Sequence, residues 1–387
     1  MSIPYFFRDT TFRRPSRRTT WFFGLSLIVV IFSLLGASAL SSGTAPTREN
    51  AGREGESFKL TSLRDARSEA QRRNDFCSQT ARALFEACQA EVEDNSFKQK
   101  AICLNISDAR DRDQCFDELE TAMVDGNQLC REQRDERLTA CQVLGEGRYD
   151  PQINPANFDD NFANLTRPNP YFPLTIGYTW EYRGGGEVNT VAVLNQTKLI
   201  NGVNCITFRD QVFKNGDLTE NTDDWFAQAR NGNVWYFGEE VKDLESFDGD
   251  NPRLPELVSI DGSFKFGREG DKGGLFFLIN PSVGRTYREE SSLGNAEDVT
   301  QILSTTYRFG NNPELDQLVP PQLAQRFCAA GDCIVTRNFS LVEPGIFARK
   351  YYARGIGAFL EIDPAAGDVL QLVNCNFDTR CVNLPTP

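Results

Sequence analysis

Histidine is absent from all 387 residues of this chain. Its absence removes the Ser-His-Asp triad, the Cys-His pair, the imidazole general base and the histidine zinc site. Any chemistry must therefore come from carboxylates, Lys, Tyr, Ser or thiols. No C-x-x-C occurs, which removes the zinc ribbon and the thioredoxin-like motif. S-x-x-K, G-x-x-x-x-G-K-[ST] and G-x-G-x-x-G are missing as well, and Gly184-Gly185-Gly186 reads as a hairpin tip rather than a phosphate cradle. Nor is there a Lys/Arg stripe with interleaved aromatics. With 54 acidic residues against 41 basic ones and a net charge of -13, the chain should repel polyanions, which excludes a nucleic-acid partner.

What is present begins with a membrane address. Residues 1–20 form a basic tail with five Arg and one Asp, and Trp21 to Leu40 follows without a single charge. That length matches the ~20 residues needed to cross a bilayer, and the positive-inside rule puts the tail in the cytoplasm. Ala37-Ser38-Ala39 is an A-x-A cleavage pattern, so residues 21–40 are either a retained anchor or a signal peptide cut near Ala39. Both alternatives leave the remainder extracytoplasmic, with the membrane as a partner through residues 21–40. Eleven cysteines suit such an oxidising space.

After a polar linker (41–59), residues 60–145 lack Pro and are dense in Arg, Glu, Asp, Gln and Ala. This pattern predicts three helices, broken near Asp94-Asn95-Ser96 and Asp125-Gly126-Asn127. Cys77 and Cys88 are eleven residues apart, about three helical turns, and Cys130 and Cys141 repeat the spacing. Folding at those breaks favours Cys88–Cys103 and Cys115–Cys130, leaving Cys77 and Cys141 to pair with each other or with another chain. The segment reads as a disulfide-stapled helical hairpin or bundle, with a multi-thiolate metal site as the alternative.

A second linker (146–168) leads into short alternating apolar runs over residues 169–378, followed by a tail (379–387). Asn201-Gly202, Asn215-Gly216 and Asn231-Gly232 recur at the spacing of an antiparallel meander. So many strands must curve into a sheet, sandwich or barrel to avoid bare edges. The expected fold class is therefore α+β: a membrane segment, a cysteine-linked helical unit, then a mostly antiparallel β domain. Cys328 with Cys333 and Cys375 with Cys381 are close enough for local bridges, while Cys205 lies in an apolar run as a buried small hydrophobe.

The hairpin around Asn231-Gly232 can be read to individual pairs. A type I′ turn there sets Phe226 against Phe237, Gln228 against Trp235, Trp225 against Gly238 and Ala227 against Tyr236. It also sets Asp224 against Glu239 and Asp223 against Glu240, two like-charge pairs that each cost ~0.2–1 kcal/mol in the open. Solvent, a structural Arg/Lys such as Arg349 or Arg354, or a calcium ion held by Asp224 and Glu239 could relieve them. The same carboxylates could serve as a glycosidase pair, since facing carboxyls ~5 Å apart match the retaining geometry.

Several phrases carry a family resemblance. They are Asn169 to Leu174 with Gly177, Trp180 and Tyr182; Asp224 to Gln228 through Gly232 to Glu239; Pro281 to Tyr287 with Glu290; and Lys350 to Ala353 with Gly355 to Gly357. In these the chain resembles a family of bacterial exported proteins with one β-rich domain and no established activity. The resemblance spans about 169–365 and implies an exported β domain, without a reaction. The expectation is a non-catalytic envelope module that binds an envelope protein or small ligand through Asp223, Asp224, Trp225, Trp235, Tyr236, Glu239 and Glu240. No cofactor is implied beyond the calcium option. A carboxylate enzyme is the alternative.

Overall fold

A computed structural model describes residues 74–387. The expected tail (1–20), membrane segment (21–40), linker (41–59) and start of the helical unit lie outside the described residues. Among the described residues no helix is long and apolar enough to cross a membrane.

Among the described residues the helical unit is a hairpin of two helices in place of the expected three-helix break pattern: α1 (Phe76–Leu104) and α2 (Ala109–Leu144). The one break falls at Asn105 to Asp108, where the Asp108 carboxylate caps α2 by accepting from the backbone N–H groups of Arg110 and Asp111. Both predicted breaks stay helical. Ser96 donates its hydroxyl back to the Glu93 carbonyl at 2.7 Å, and Asn127 does the same to Met123 at 2.8 Å, so neither competes for a turn. Gly126 is a contact point: a Cβ there would come within 3.0 Å of Val92 Cγ2. The helices approach closely where the sequence suggested a bend.

The single turn overturns the expected Cys88–Cys103 and Cys115–Cys130 bridges. The bridges are Cys77–Cys141, Cys88–Cys130 and Cys103–Cys115, three nested pairs straddling the same midpoint at residue 109. Of the two options left open for Cys77 and Cys141, mutual pairing is the one adopted. At the hairpin base the Phe76 and Cys77 backbone N–H groups donate to the Glu146 carbonyl, and the Ser78 hydroxyl donates to the Glu146 carboxylate at 2.6 Å.

The β domain comprises β1 (Thr179–Gly184), β2 (Glu187–Ile200), β3 (Val203–Lys214), β4 (Asp217–Gln228), β5 (Val234–Glu240), β6 (Asp243–Glu245), β7 (Glu256–Ser259) and β8 (Phe264–Lys265). It continues through β9 (Lys272–Phe277), β10 (Thr286–Arg288), β11 (Glu290–Ser291), β12 (Asp298–Tyr307), β13 (Cys333–Ser340), β14 (Ala348–Ala353), β15 (Gly357–Asp363) and β16 (Asp368–Cys375). They make one antiparallel sheet in the order β10-β12-β13-β14-β15-β16-β1-β2-β3-β4-β5-β9-β11, with β6, β7 and β8 branching from it. Only Glu289 separates β10, bound to β12, from β11, bound to β9. That short stretch bends the sheet back on itself as a nearly closed barrel, leaving little edge to template aggregation.

An eight-residue helix, α3 (Pro321–Cys328), was not expected from the sequence. It packs Leu323, Ala324 and Phe327 onto the sheet and is stapled by Cys328–Cys333. Cys375–Cys381 closes the C-terminal tail, and Cys205 is free and buried, all three as expected. The helical hairpin docks on the barrel through α2. Ala140 packs with Val299, Phe339 and Leu341, the Gln133 amide donates to the Val342 carbonyl at 2.7 Å, and Arg137 meets Glu297 in a fully buried ion pair.

Candidate functional site

The hairpin of β4 and β5 keeps the expected register only at its open end. Asp223 faces Glu240, Asp224 faces Glu239 and Trp225 faces Gly238, but Phe226 faces Tyr236, Ala227 faces Trp235 and Gln228 faces Val234. Two local events account for the difference. The turn is a three-residue loop, with Gly232 N–H donating to the Ala229 carbonyl and positive φ at Gly232 (94°), in place of type I′. Phe237 is then an extra residue bulged into β5, which restores the register beyond it.

The residues expected to line one site are divided between two faces. Trp225, Phe237 and Trp235 pack on the outer face around Phe158, with the Lys198 ammonium 3.5 Å over the Trp225 ring. Tyr236 joins Phe226 in the main core. The acids divide the same way. Asp223 accepts from Arg209 at 2.8 and 3.1 Å, and Glu240 pairs with Lys242 at 2.6 Å, so structural cations relieve this outer pair.

The glycine at position 238 is required by the strand beside it. Trp225 faces Gly238 as expected, but a Cβ at Gly238 would lie 2.4 Å from the Phe264 carbonyl of β8, and φ there is 144°. Backbone approach excludes every side chain. Gly238→Ala should cost on the order of 3 kcal/mol, read as a drop in urea midpoint, because both β8 and the backbone angle must yield. An unchanged midpoint would show that the branch strand carries no strain.

Asp224 and Glu239 turn inward, 4% and 3% exposed. Neither meets Arg349 or Arg354: Arg349 donates to the Glu314 and Gln317 carbonyls, and Arg354 pairs with Asp332. Asp224 accepts a short bond, 2.5 Å, from the Tyr236 hydroxyl, while Glu239 Oε1 has no hydrogen-bond partner. Around them the barrel gathers groups that hairpin reasoning missed. Glu289 accepts from the Thr300 hydroxyl and, at 2.6 Å, from the Asn338 amide, and Glu290 accepts from the Asp298 backbone at 2.7 Å. Lys350 on β14 lies directly opposite Glu361 on β15. The Lys350 ammonium acts on Asp224, Glu289, Asp298 and Glu361, which stand on both sides of the barrel, so these groups share one interior.

Carboxylates outnumber cations in this interior, and burial dominates their behaviour. Loss of water pushes Asp224 up to about 7, opposed by the Tyr236 hydrogen bond, and pushes Glu361 up to about 8, opposed by Lys350. Glu239, Glu290 and Asp298 are held well above the ordinary carboxylate range, first by burial and then by a neighbouring carboxylate: Asp224 for Glu239, Asp298 for Glu290 and Glu289 for Asp298. The arrangement retains protons. Among the described residues no group of three or more Asp, Glu or Cys is disposed to hold a metal ion.

Tyr182, Asp224, Tyr236, Glu239, Tyr287, Glu290, Lys350 and Tyr352 are all buried in the barrel, and all fall within the phrases singled out in the sequence. A readable signal was therefore there: charged residues set inside strands that are otherwise apolar, such as Lys350 in a strand buried at all six positions. Comparison with family models, with curated proteins and with solved structures finds no match to this chain.

Proposed function

We propose that this chain is an extracytoplasmic, non-catalytic module of the cell envelope, membrane-tethered through residues 21–40 or released by cleavage near Ala39. Its outer surface meets an envelope protein or small ligand. The observation that carries this reading is the sealed state of the Asp224–Glu239 pair on the barrel's inner side: both carboxyls are shut off from solvent and from any glycan. Ten of eleven cysteines in bridges support an oxidising location.

Export is tested on cells stripped of their outer layer and treated with protease. The β domain should be digested while a cytosolic marker survives, and thiol labelling of the denatured chain should find Cys205 alone. A protected domain with several reactive thiols would overturn the location. Turnover of aryl glycosides that Asp224→Asn abolishes would overturn the non-catalytic half. A calcium-dependent rise in Tm lost in the same variant would instead place an ion between Asp224 and Glu239.

A further inference from the structure

The branch strand β7 is paired on one side only. It meets β6 through Ser259 with Asp243, Leu257 with Leu244 and Glu256 with Glu245, and among the described residues no strand lies along its other edge. The branch keeps an edge that closure of the barrel does not cover. Along it Leu254, Leu257 and Ile260 are 61%, 57% and 59% exposed, and residues 253–255 and 260 continue β7 at either end without turn or helix. A free apolar edge is a template for another strand. Both ends of this one are anchored: Arg253 pairs with Asp217 at 2.8 Å, and the Gly262 N–H donates to Asn295 Oδ1 at 2.9 Å. Little ordering is left for a partner to impose, which lowers the cost of binding.

We propose that β7 is a self-association edge: two copies of this chain pair antiparallel through it, about a two-fold axis at Leu257, and continue one sheet from barrel to barrel. The partner is a second copy because the edge is complementary to itself. An isologous contact sets each residue against its mirror position, and a two-fold axis makes two copies of one strand run antiparallel. With the axis at Leu257, that side chain meets Leu257 of the second copy, and Leu254 meets Ile260. Just beyond them the Arg253 guanidinium faces the exposed Asp261 carboxylate, so charge matches where the apolar row ends. Pairing of this kind stands whether the chain is anchored, released or not exported.

The neighbouring registers are worse. An axis at Glu256 would set two glutamates face to face, and an axis at Val258 would set Leu254 against Gly262. Proline fixes the bonding pattern as well. Antiparallel strands alternate between residue pairs that exchange both backbone bonds and pairs that exchange none, and Pro255, lacking an N–H, belongs to the second kind. Opposite Ser259 it puts Leu257 in the same class, which leaves Glu256 and Val258 to exchange N–H and carbonyl bonds across the axis.

The test is cysteine cross-linking of the full chain in mild detergent, read by non-reducing electrophoresis. Facing residues in a non-bonding pair have Cα atoms about 4.5 Å apart, within the span of a disulfide. Leu257→Cys should therefore give a species of twice the chain mass, whereas Leu254→Cys should stay single alone and link only when mixed with Ile260→Cys. Sedimentation of the wild-type chain should pass from one copy to two per particle between roughly 1 and 100 µM, the range of a small interface, and Leu257→Lys should hold it at one. No link at Leu257→Cys, or an equal link at Leu254→Cys alone, would overturn the pairing. So would a wild-type chain that stays single through that range, or a two-copy particle that Leu257→Lys leaves intact. In cells, a Leu257→Cys adduct of any mass other than twice the chain would overturn self-association and give the edge to another protein's strand.

Discussion

Lowering the pH from 8 to 5 should raise the Tm of the barrel, the opposite of ordinary acid destabilisation. The folded chain holds Asp224 at about 7, against an ordinary value of 3.8, and holds Glu239, Glu290 and Asp298 high as well. A carboxyl with a raised folded value binds its proton more tightly folded than unfolded. Its contribution is complete below about 4 and is lost as pH rises through the folded value. At about 1.4 kcal/mol per tenfold change in proton affinity, Asp224 alone contributes about 3 kcal/mol between pH 8 and 5, on the order of 10 °C in Tm. The carboxylates pulled the other way by cations, Asp150, Asp217, Glu240 and Asp378, act only below this window. Asp224→Asn keeps an acceptor for Tyr236, so the variant should be flatter with pH and more stable than wild type at pH 8. A Tm that rises with pH, or a variant with the parent's slope, would refute this account.

The second large effect concerns the joint between hairpin and barrel. Arg137 donates three bonds of 2.7 to 3.2 Å to Glu297, and the two side chains are 5% and 2% exposed. Glu297 also accepts from the Gly294 backbone at 2.7 Å, which fixes the loop before β12. Arg137→Ala strands a buried carboxylate, and its expected cost is about 3–5 kcal/mol in denaturant unfolding. Replacing Arg137 and Glu297 together by Leu should recover most of that loss, because no orphan charge remains. If the double variant were as unstable as the single one, the pair would owe its contribution to shape rather than charge.

The strands from Thr179 to Cys375 were legible because alternation and Asn-Gly turns are local signals. The facing of Asp224 by Glu239 followed from the same reasoning, and survived because the Phe237 bulge compensates the misread turn. Curvature into a sheet, sandwich or barrel was expected, but which distant residues closure brings together was not legible. Lys350, Glu361, Asp298 and Glu290 lie up to 137 residues from Asp224, and only the ring of strand pairings brings them together. The helical unit failed for a complementary reason. Polar triplets suggested breaks at Ser96 and Gly126, but one side chain bonds within its own helix and the other glycine admits Val92. α3 had a readable start in Pro321 and a buried Leu323, Ala324 and Phe327 stripe, outweighed by its shortness.

The outermost bridge of the nested ladder changes how the chain transmits force. Cys77 and Cys141 lie 5.7 Å apart at the base of the hairpin, so tension between residues before 77 and the barrel crosses one covalent link. The intervening helices are a closed side loop that bears no load. A protease cut at the exposed Asn105 turn would therefore release nothing until the disulfides were reduced, and the barrel would stay moored to whatever holds its N-terminal end.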